Sequence, residues 1–246
     1  MSEKMKYSPK PILVPQSGRR VDVVPDRLGG LSLTSVKARL HLVERLKKMG
    51  IKSTAVLDAL QVVPRHLFVD EAFASRAYED AALPIGYKQT ISRPYTVAKF
   101  LEYALEKGLP IHRVLEVGTG CGYQAAVLSL LAKQVVSIER IRALYEKAKK
   151  NLQDAGYHAV TVRHDDGLKG YAGCAPYDVI VVAAAGLNVA DSLLKQLTIG
   201  GRLIAPVTHE TRQVLVTIDR ISDNQWKRKS RDTVNFVPLV EGTKEV

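Results

Sequence analysis

The feature that most constrains this chain is a regular alternation of short apolar runs and amphipathic runs between Arg113 and Ala205. The apolar runs predict buried strands, and the amphipathic runs predict helices. In chain order the predicted elements are strand Val114–Val117, helix Tyr123–Leu131, strand Val135–Ile138, helix Ile141–Ala155, strand Val160–Arg163, strand Asp178–Ala183, helix Val189–Leu197 and strand Arg202–Ala205. Such alternation is typical of a parallel sheet covered on both faces. We therefore expect an α/β fold with a doubly wound, mostly parallel sheet.

The segments on either side of this core have different patterns. A first helix is predicted over Ser35–Met49, with Val36, Leu40, Val43 and Leu46 as its apolar stripe. Ser53 has the position of the N-cap of a second, short helix. Beyond the core, Gln213–Arg220 and Thr233–Val240 alternate like antiparallel strands and predict a hairpin at one edge of the sheet.

The stretch from Tyr78 to Ser92 has no clean helical or strand period, and we predict that it is a loop. Pro94 suits the first turn of the helix that follows, with Ser92 or Arg93 as its cap. The expected buried stripe of that helix consists of Val97, Phe100, Leu101, Ala104 and Leu105.

The charge of the chain is strongly positive, since 36 Lys and Arg against 25 Asp and Glu give a net charge of +11. Such a balance invites a nucleic-acid or membrane partner. However, the excess is spread along the chain, and the only dense basic run is Trp226–Arg231, which we expect at a solvated hairpin tip. A non-catalytic nucleic-acid-binding protein that uses this run remains an alternative.

The two cysteines, Cys121 and Cys174, cannot form a disulfide framework and lack the spacing of a zinc site, so we expect no metal and a reducing cytoplasm. The N-terminal residues do not resemble a signal peptide. No run of about 18 apolar residues predicts a membrane span.

A glycine-rich turn, Glu116-Val-Gly118-Thr-Gly120-Cys-Gly122, follows the first strand of the core and opens a helix. Doubly wound sheets bind nucleotide-like ligands at this position. The glycines fall at every second residue, unlike the spacing of dinucleotide sites, and no Gly-Lys-Ser/Thr follows as in Walker-type phosphate sites.

Three acidic features stand at the ends of the strands around this turn. Glu116 could meet a ligand ammonium, while the helix N-terminus favours a ligand carboxylate. Glu139 ends the second strand, where a carboxylate can accept hydrogen bonds from ribose hydroxyls. Asp166, before Gly167, could bind an adenine amino group. An amino acid, a ribose and an adenine together indicate S-adenosylmethionine, with S-adenosylhomocysteine as the product.

Two segments before the core carry a resemblance to a known family. At Pro64-Arg-His-Leu-Phe68, and more sharply at Ala82–Pro94 with its Gln-Thr-Ile-Ser run, the chain resembles the protein-L-isoaspartate O-methyltransferases. The resemblance extends from about Val36 to Val240 and also includes Gly200-Gly-Arg-Leu-Ile204 and Phe236-Val-Pro-Leu239. It implies the fold of the class I, Rossmann-like methyltransferases, with added N-terminal helices and an antiparallel C-terminal edge. It also implies protein repair by methylation of the α-carboxyl group of L-isoaspartyl residues.

The resemblance implies a role for individual residues. Ser92 matches the active-site serine of the family, and Thr90 and Ile91 lie in the segment that lines cofactor and substrate. The matching cofactor-binding positions are Glu116, Gly118, Thr119, Gly120, Gly122, Glu139, Arg140, Asp166 and Gly167. The expected partners are isoaspartyl-containing proteins and peptides, with no specific nucleic acid and no membrane, and the expected state is a cytoplasmic monomer.

The expected domain organisation follows from these patterns. Residues 1–30 are expected to form a mobile basic tail, and residues 31–246 a single methyltransferase domain. Within it we expect N-terminal helices and a substrate loop (31–110), a cofactor-binding core (111–206) and C-terminal antiparallel strands (207–246).

The chain departs from the family pattern at three places: Lys88 stands where bacterial members often have a small residue, Pro206–Arg212 replaces a glycine-rich turn, and residues 1–30 have no counterpart.

An alternative enzyme class is a methyltransferase that acts on RNA, DNA or a small molecule. Nitrogen-methylating nucleic-acid enzymes commonly carry an Asn/Asp-Pro-Pro-aromatic motif after the fourth strand. Here that position reads Ala183-Ala-Ala-Gly186, which argues against them.

Overall fold

The computed structural model describes residues 32–246 and is organised around a seven-stranded sheet. The strands, numbered in chain order, are β1 (Leu83–Gly86), β2 (Gln89–Ile91), β3 (Ile111–Val117), β4 (Ala132–Glu139), β5 (Val160–His164), β6 (Tyr177–Val182), β7 (Leu197–His209), β8 (Arg212–Ser222) and β9 (Gln225–Val234). The large sheet has the order β5-β4-β3-β6-β7-β8-β9, in which β3 to β7 are parallel and β8 and β9 are antiparallel. This confirms the expected mostly parallel sheet with an antiparallel C-terminal edge.

Helices cover both faces of the sheet: α1 (Ser32–Lys48), α2 (Thr54–Val62), α3 (Pro94–Leu105), α4 (Tyr123–Leu131), α5 (Arg142–Asp154) and α6 (Asp191–Lys195). Side chains of a strand alternate between faces, so successive apolar residues contribute to different cores. Val114 belongs to the cluster under the N-terminal helices, whereas Leu115 belongs to the cluster that contains Leu193 of α6. These two cores explain why the parallel strands are almost continuously apolar.

The N-terminal helices agree with the sequence prediction except in detail. Ser53 caps α2, because its side chain accepts a hydrogen bond from the Val56 amide. The predicted stripe of α1 is partly wrong, since Val36 and Leu40 are 39% and 42% exposed, while Leu42 is completely buried beside Val43 and Leu46. In α3 the predicted stripe is buried except for Leu105, which is half-buried.

The predicted loop at Tyr78–Ser92 contains a small hairpin instead, formed by β1 and β2. Its turn residues, Tyr87 and Lys88, have φ values of +53° and +59°. Positive φ at both central residues is the geometry of tight two-residue hairpins, which usually contain Asn-Gly or Gly-Gly. The sequence lacked that signal, so the hairpin was not predicted.

The last strand was also wrongly placed. β9 covers Gln225–Val234, so the basic run Trp226–Arg231 lies in an edge strand and not at a hairpin tip. Most residues of β9 are exposed, so that its sequence shows no apolar alternation. The more apolar residues after Val234 leave the sheet and cross its carboxyl edge, where Leu239 donates a backbone hydrogen bond to Ala185.

Two further expectations concern membranes and the N-terminus. No helix among residues 32–246 is long and apolar enough to cross a membrane. The expected tail, residues 1–30, lies outside the described part of the chain.

Candidate active site

The glycine-rich turn follows β3 at the carboxyl edge of the sheet. Gly118, Gly120 and Gly122 have φ values of +94°, +56° and +92°, a region that other residues rarely adopt. A Cβ atom on Gly122 would also lie 3.1 Å from Leu152 Cγ of α5. The turn therefore depends on glycine both for its backbone conformation and for close packing against α5.

A pocket opens in front of this turn. One wall is the Gln89–Ser92 segment, and another is the end of β4 with Glu139 and Arg140. Of the predicted site residues, the pocket wall contains Thr90, Ile91, Ser92, Gly118, Thr119, Gly120, Glu139, Arg140 and Gly167. The fold thus brings the Gln-Thr-Ile-Ser segment and the glycine-rich turn together around one cavity.

Glu139 is a buried carboxylate on the pocket wall, only 4% exposed. Its Oε2 accepts a hydrogen bond from the Gly120 amide at 2.8 Å, and its Oε1 accepts one from the Ile141 amide at 2.9 Å. Burial raises the pKa of this carboxyl group, and the backbone hydrogen bonds oppose that effect. Since a carboxylate offers about four acceptor positions, Glu139 can still accept hydrogen bonds from a ligand.

Glu116 does not line the pocket but lies beneath the turn, with no exposed surface. Ser137 Oγ donates to Glu116 Oε2 at 2.5 Å. Burial raises the pKa of Glu116 to about 8. The sequence placed this side chain against a ligand ammonium, and the structure places it one layer behind the pocket wall.

Asp166 is likewise outside the pocket wall and only 4% exposed. Its Oδ1 accepts a hydrogen bond from the Leu168 amide at 2.9 Å, and its Oδ2 accepts one from the Gly242 amide at 3.0 Å. Both oxygens therefore hold backbone, and only the adjacent Gly167 reaches the pocket. Gly122, the helix-capping glycine, is also behind the wall.

Sequence reasoning missed one wall of the pocket, the C-terminal strap, which we define as residues 235–246. Its residues Val237–Val240 line the cavity. Gln213 holds the strap at both backbone atoms of Phe236: Gln213 Oε1 accepts from the Phe236 amide at 2.6 Å, and Gln213 Nε2 donates to the Phe236 carbonyl at 3.0 Å. Pro238 was the available signal, because proline inside an apolar run argues against a strand.

Ser92 is half-buried on the pocket wall. The N-cap position of α3 is Arg93, one of the two residues expected there, but its side chain makes no capping hydrogen bond. The Ser92 hydroxyl forms no hydrogen bond within the described part of the chain, and it is available to a ligand in the pocket.

The family model for protein-L-isoaspartate(D-aspartate) O-methyltransferases matches residues 37–244. The chain belongs to this family. The match covers most of α1, all of the other helices, the hairpin, the whole sheet and most of the strap.

Curated relatives agree with this membership. The protein-L-isoaspartate O-methyltransferase of Burkholderia ambifaria is 51% identical over 216 residues, which cover 87% of this chain and 69% of the relative. The enzyme of the same name from Burkholderia vietnamiensis is 52% identical, with 87% and 70% of the two chains covered.

Solved structures agree as well. One protein-L-isoaspartate O-methyltransferase superposes with a TM-score of 0.76 at 31% identity and covers 84% of this chain and 67% of its own. A Plasmodium falciparum structure in complex with S-adenosyl-L-homocysteine has a TM-score of 0.73 at 23% identity, with 81% and 97% covered, and it supports the fold alone.

The protein-L-isoaspartate O-methyltransferases transfer a methyl group from S-adenosylmethionine to isoaspartyl residues of damaged proteins, and this chain is such an enzyme. Both the resemblance and the cofactor class inferred from the sequence are therefore confirmed. A metal-binding group of His, Cys, Asp or Glu is not found among residues 32–246.

Proposed function

We propose that the pocket in front of the glycine-rich turn is the methyl-transfer site and that Ser92 is the residue that positions the substrate carboxylate. The observation that carries this proposal is the free Ser92 hydroxyl on a wall that faces the same cavity as Glu139 and the turn. A hydroxyl in this place can donate a hydrogen bond to one oxygen of the isoaspartyl carboxylate. The other oxygen would then be the nucleophile.

The substrate needs no general base from the protein. An α-carboxyl group has a pKa of about 3.5, so it is already an anion at neutral pH. The cysteine and the tyrosine of the pocket wall stay protonated at neutral pH and cannot act as general bases, because burial raises the pKa of the Cys121 thiol to about 11 and also raises the pKa of the Tyr123 hydroxyl. The task left to the enzyme is alignment of the reacting atoms and exclusion of water, worth up to about 7–11 kcal/mol.

The pocket residues fit S-adenosylmethionine, whose sulfonium supplies the activated methyl group. Glu139 would accept hydrogen bonds from the ribose hydroxyls with the lone pairs that Gly120 and Ile141 leave free. The turn glycines and Thr119 would present backbone to the amino-acid part of the cofactor, with Arg140, Gly167, Thr90 and Ile91 completing the wall. From behind the pocket wall, Glu116 would support the glycine-rich turn, and Asp166 would support the strap through the Gly242 amide.

We further propose that residues 31–246 act as a single methyltransferase domain, as a monomer in the cytoplasm and without a specific nucleic acid or membrane. The free cysteines and the even spread of positive charge support this proposal. Broad positive potential would favour encounter with an anionic, damaged polypeptide of any sequence.

The assignment of Ser92 is tested by a kinetic separation of binding from chemistry. Ser92→Ala should lower kcat for an isoaspartyl peptide by about tenfold or more and leave the Kd for S-adenosylmethionine within about twofold of wild type. A large loss of cofactor affinity with normal kcat would make Ser92 a cofactor ligand instead and would refute the proposal.

A further inference from the structure

The N-terminus of α3 is capped by a residue that is distant in sequence. Asp80 Oδ1 accepts a hydrogen bond from the Tyr95 amide at 2.8 Å, although the two residues are 15 positions apart. The second oxygen of the same carboxylate, Oδ2, pairs with Arg93 Nη2 at 3.0 Å. Asp80 therefore satisfies a first-turn amide that the side chain of the N-cap residue ordinarily satisfies and that Arg93, whose side chain has no acceptor, cannot.

The segment that carries Asp80 is itself held by a buried cation. Arg65 is completely buried and donates from Nε to the Ala77 carbonyl at 2.8 Å and from Nη2 to the Ala81 carbonyl at 3.5 Å. These two carbonyls flank Asp80 in the chain. Asp80 is thus fixed on both sides, and its side chain is only 13% exposed.

The same arginine links this segment to the cofactor side of the pocket. The Arg65 guanidinium lies over the ring of Tyr123, 4.8 Å from its centroid. Tyr123 is the first residue of α4, directly after the glycine-rich turn, and it lines the pocket. A continuous set of contacts therefore connects the start of α4 to the cap of α3, and Ser92 lies two residues before that helix.

We infer that Asp80 is a positioning residue for methyl transfer: by capping α3 it leaves the Ser92 hydroxyl free and holds it on the pocket wall. If Asp80 were absent, the Tyr95 amide would lose its partner, and the Ser92 hydroxyl, two residues before the helix, would be an acceptor on the N-terminal side of that amide. Ser92 would then turn towards the helix and away from the substrate. This inference rests on the proposed role of Ser92.

A cap that only stabilised α3 would have a different consequence. Its loss would lower the Tm and would leave kcat unchanged well below the unfolding temperature. Ser53 provides a matched control, because it caps α2 through the Val56 amide and does not line the pocket. Ser53→Ala should lower the Tm with kcat unchanged.

The test is a double-mutant cycle between positions 80 and 92, measured at a temperature well below the Tm of every variant. Asp80→Ala should lower kcat for an isoaspartyl peptide by about tenfold or more, because displacement of a positioned group by about 1 Å is this costly. The Kd for S-adenosylmethionine should be unchanged. Asp80→Asn keeps an acceptor for the Tyr95 amide and should restore most of the loss. Arg93→Gln removes the ion pair and the contact of the guanidinium with the Tyr95 ring but keeps the Asp80–Tyr95 hydrogen bond, and it should resemble wild type.

The cycle separates the two ideas. If Asp80 acts through Ser92, the effect of Asp80→Ala on kcat should disappear when Ser92 is already alanine. An equal loss in both backgrounds would refute the inference and leave the role of Ser92 intact. A normal kcat in Ser92→Ala alone would instead refute the proposed function on which the inference rests.

Discussion

Ser137 and Glu116 form a buried hydrogen bond beneath the glycine-rich turn, in which Ser137 Oγ donates to Glu116 Oε2 at 2.5 Å. The Ser137 hydroxyl is also 2.6 Å from Thr119 Oγ1, so the two strands below the turn are linked to the turn itself. The carboxyl group is fully buried, which explains why its pKa is raised to about 8.

The raised pKa of Glu116 predicts a pH dependence of stability. A carboxyl group binds more protons in the folded state than in the unfolded state when its folded pKa is higher, so its contribution to stability falls as pH rises from about 4.5 to 8. Glu116→Gln keeps the shape of the side chain and removes its charge. The difference in the free energy of unfolding between this variant and wild type should therefore be about 2–4 kcal/mol more favourable to the variant at pH 8 than at pH 5. Urea unfolding at both pH values measures this difference. The same difference at both pH values would contradict the buried-acid account.

Glu139 should contribute directly to cofactor affinity. Glu139→Ala removes the acceptor proposed for the ribose and also releases the Gly120 amide, so the Kd for S-adenosylmethionine should rise by about tenfold or more. Titration calorimetry checks this value. Glu146→Ala is a suitable control, because Glu146 forms only exposed ion pairs on α5 and should leave the Kd unchanged. Equal affinities of the Glu139 variant and wild type would refute the assignment.

Gln213 should hold the strap over the pocket. Gln213→Ala removes both hydrogen bonds to the Phe236 backbone, and we expect a loss of about 1–3 kcal/mol in stability. Amide hydrogen exchange at Leu239, whose amide bonds to Ala185, should become faster, and the KM for the cofactor should rise. Unchanged exchange in the strap would show that Gln213 is dispensable. Gln225→Ala, at the exposed start of β9, is the control.

Loss of the buried arginine Arg202, which does not line the pocket, should lower the stability of the fold. Arg202 is 6% exposed and pairs with Asp219 through both Nε and Nη2, at 2.7 and 2.9 Å, and with Glu106 through Nη1 at 2.6 Å. Arg202→Ala leaves Asp219 paired with Lys107 and Glu106 paired with Arg231, and it should lower the free energy of unfolding by about 1–3 kcal/mol. Thermal unfolding tests this, with Arg76→Ala as an exposed control. A loss of stability no larger than that of Arg76→Ala would contradict this prediction.

The parts of the fold that local patterns determine could be predicted from the sequence. The helix Tyr123–Leu131 was predicted with its observed bounds, because a glycine turn starts it and an apolar strand follows it. Ser53 was recognised as a cap because its partner, Val56, is three residues away.

The parts that depend on distant partners could not be predicted. The sequence indicates the N-cap position of α3, which is Arg93, but the capping hydrogen bond comes from Asp80, outside any local window. β9 has little apolar pattern and is a strand because it pairs with β8. In the site, residue types at strand ends indicated the cofactor, but only the packing of the chain shows that Glu139 reaches the pocket while Glu116 lies behind it.

The most direct test of the account is methyl transfer from labelled S-adenosylmethionine to two peptides that differ only in one aspartyl linkage. The account predicts strong labelling of the L-isoaspartyl peptide, little labelling of the aspartyl peptide and loss of labelling in Ser92→Ala. Equal labelling of both peptides, or labelling of neither by a protein that binds the cofactor, would contradict it.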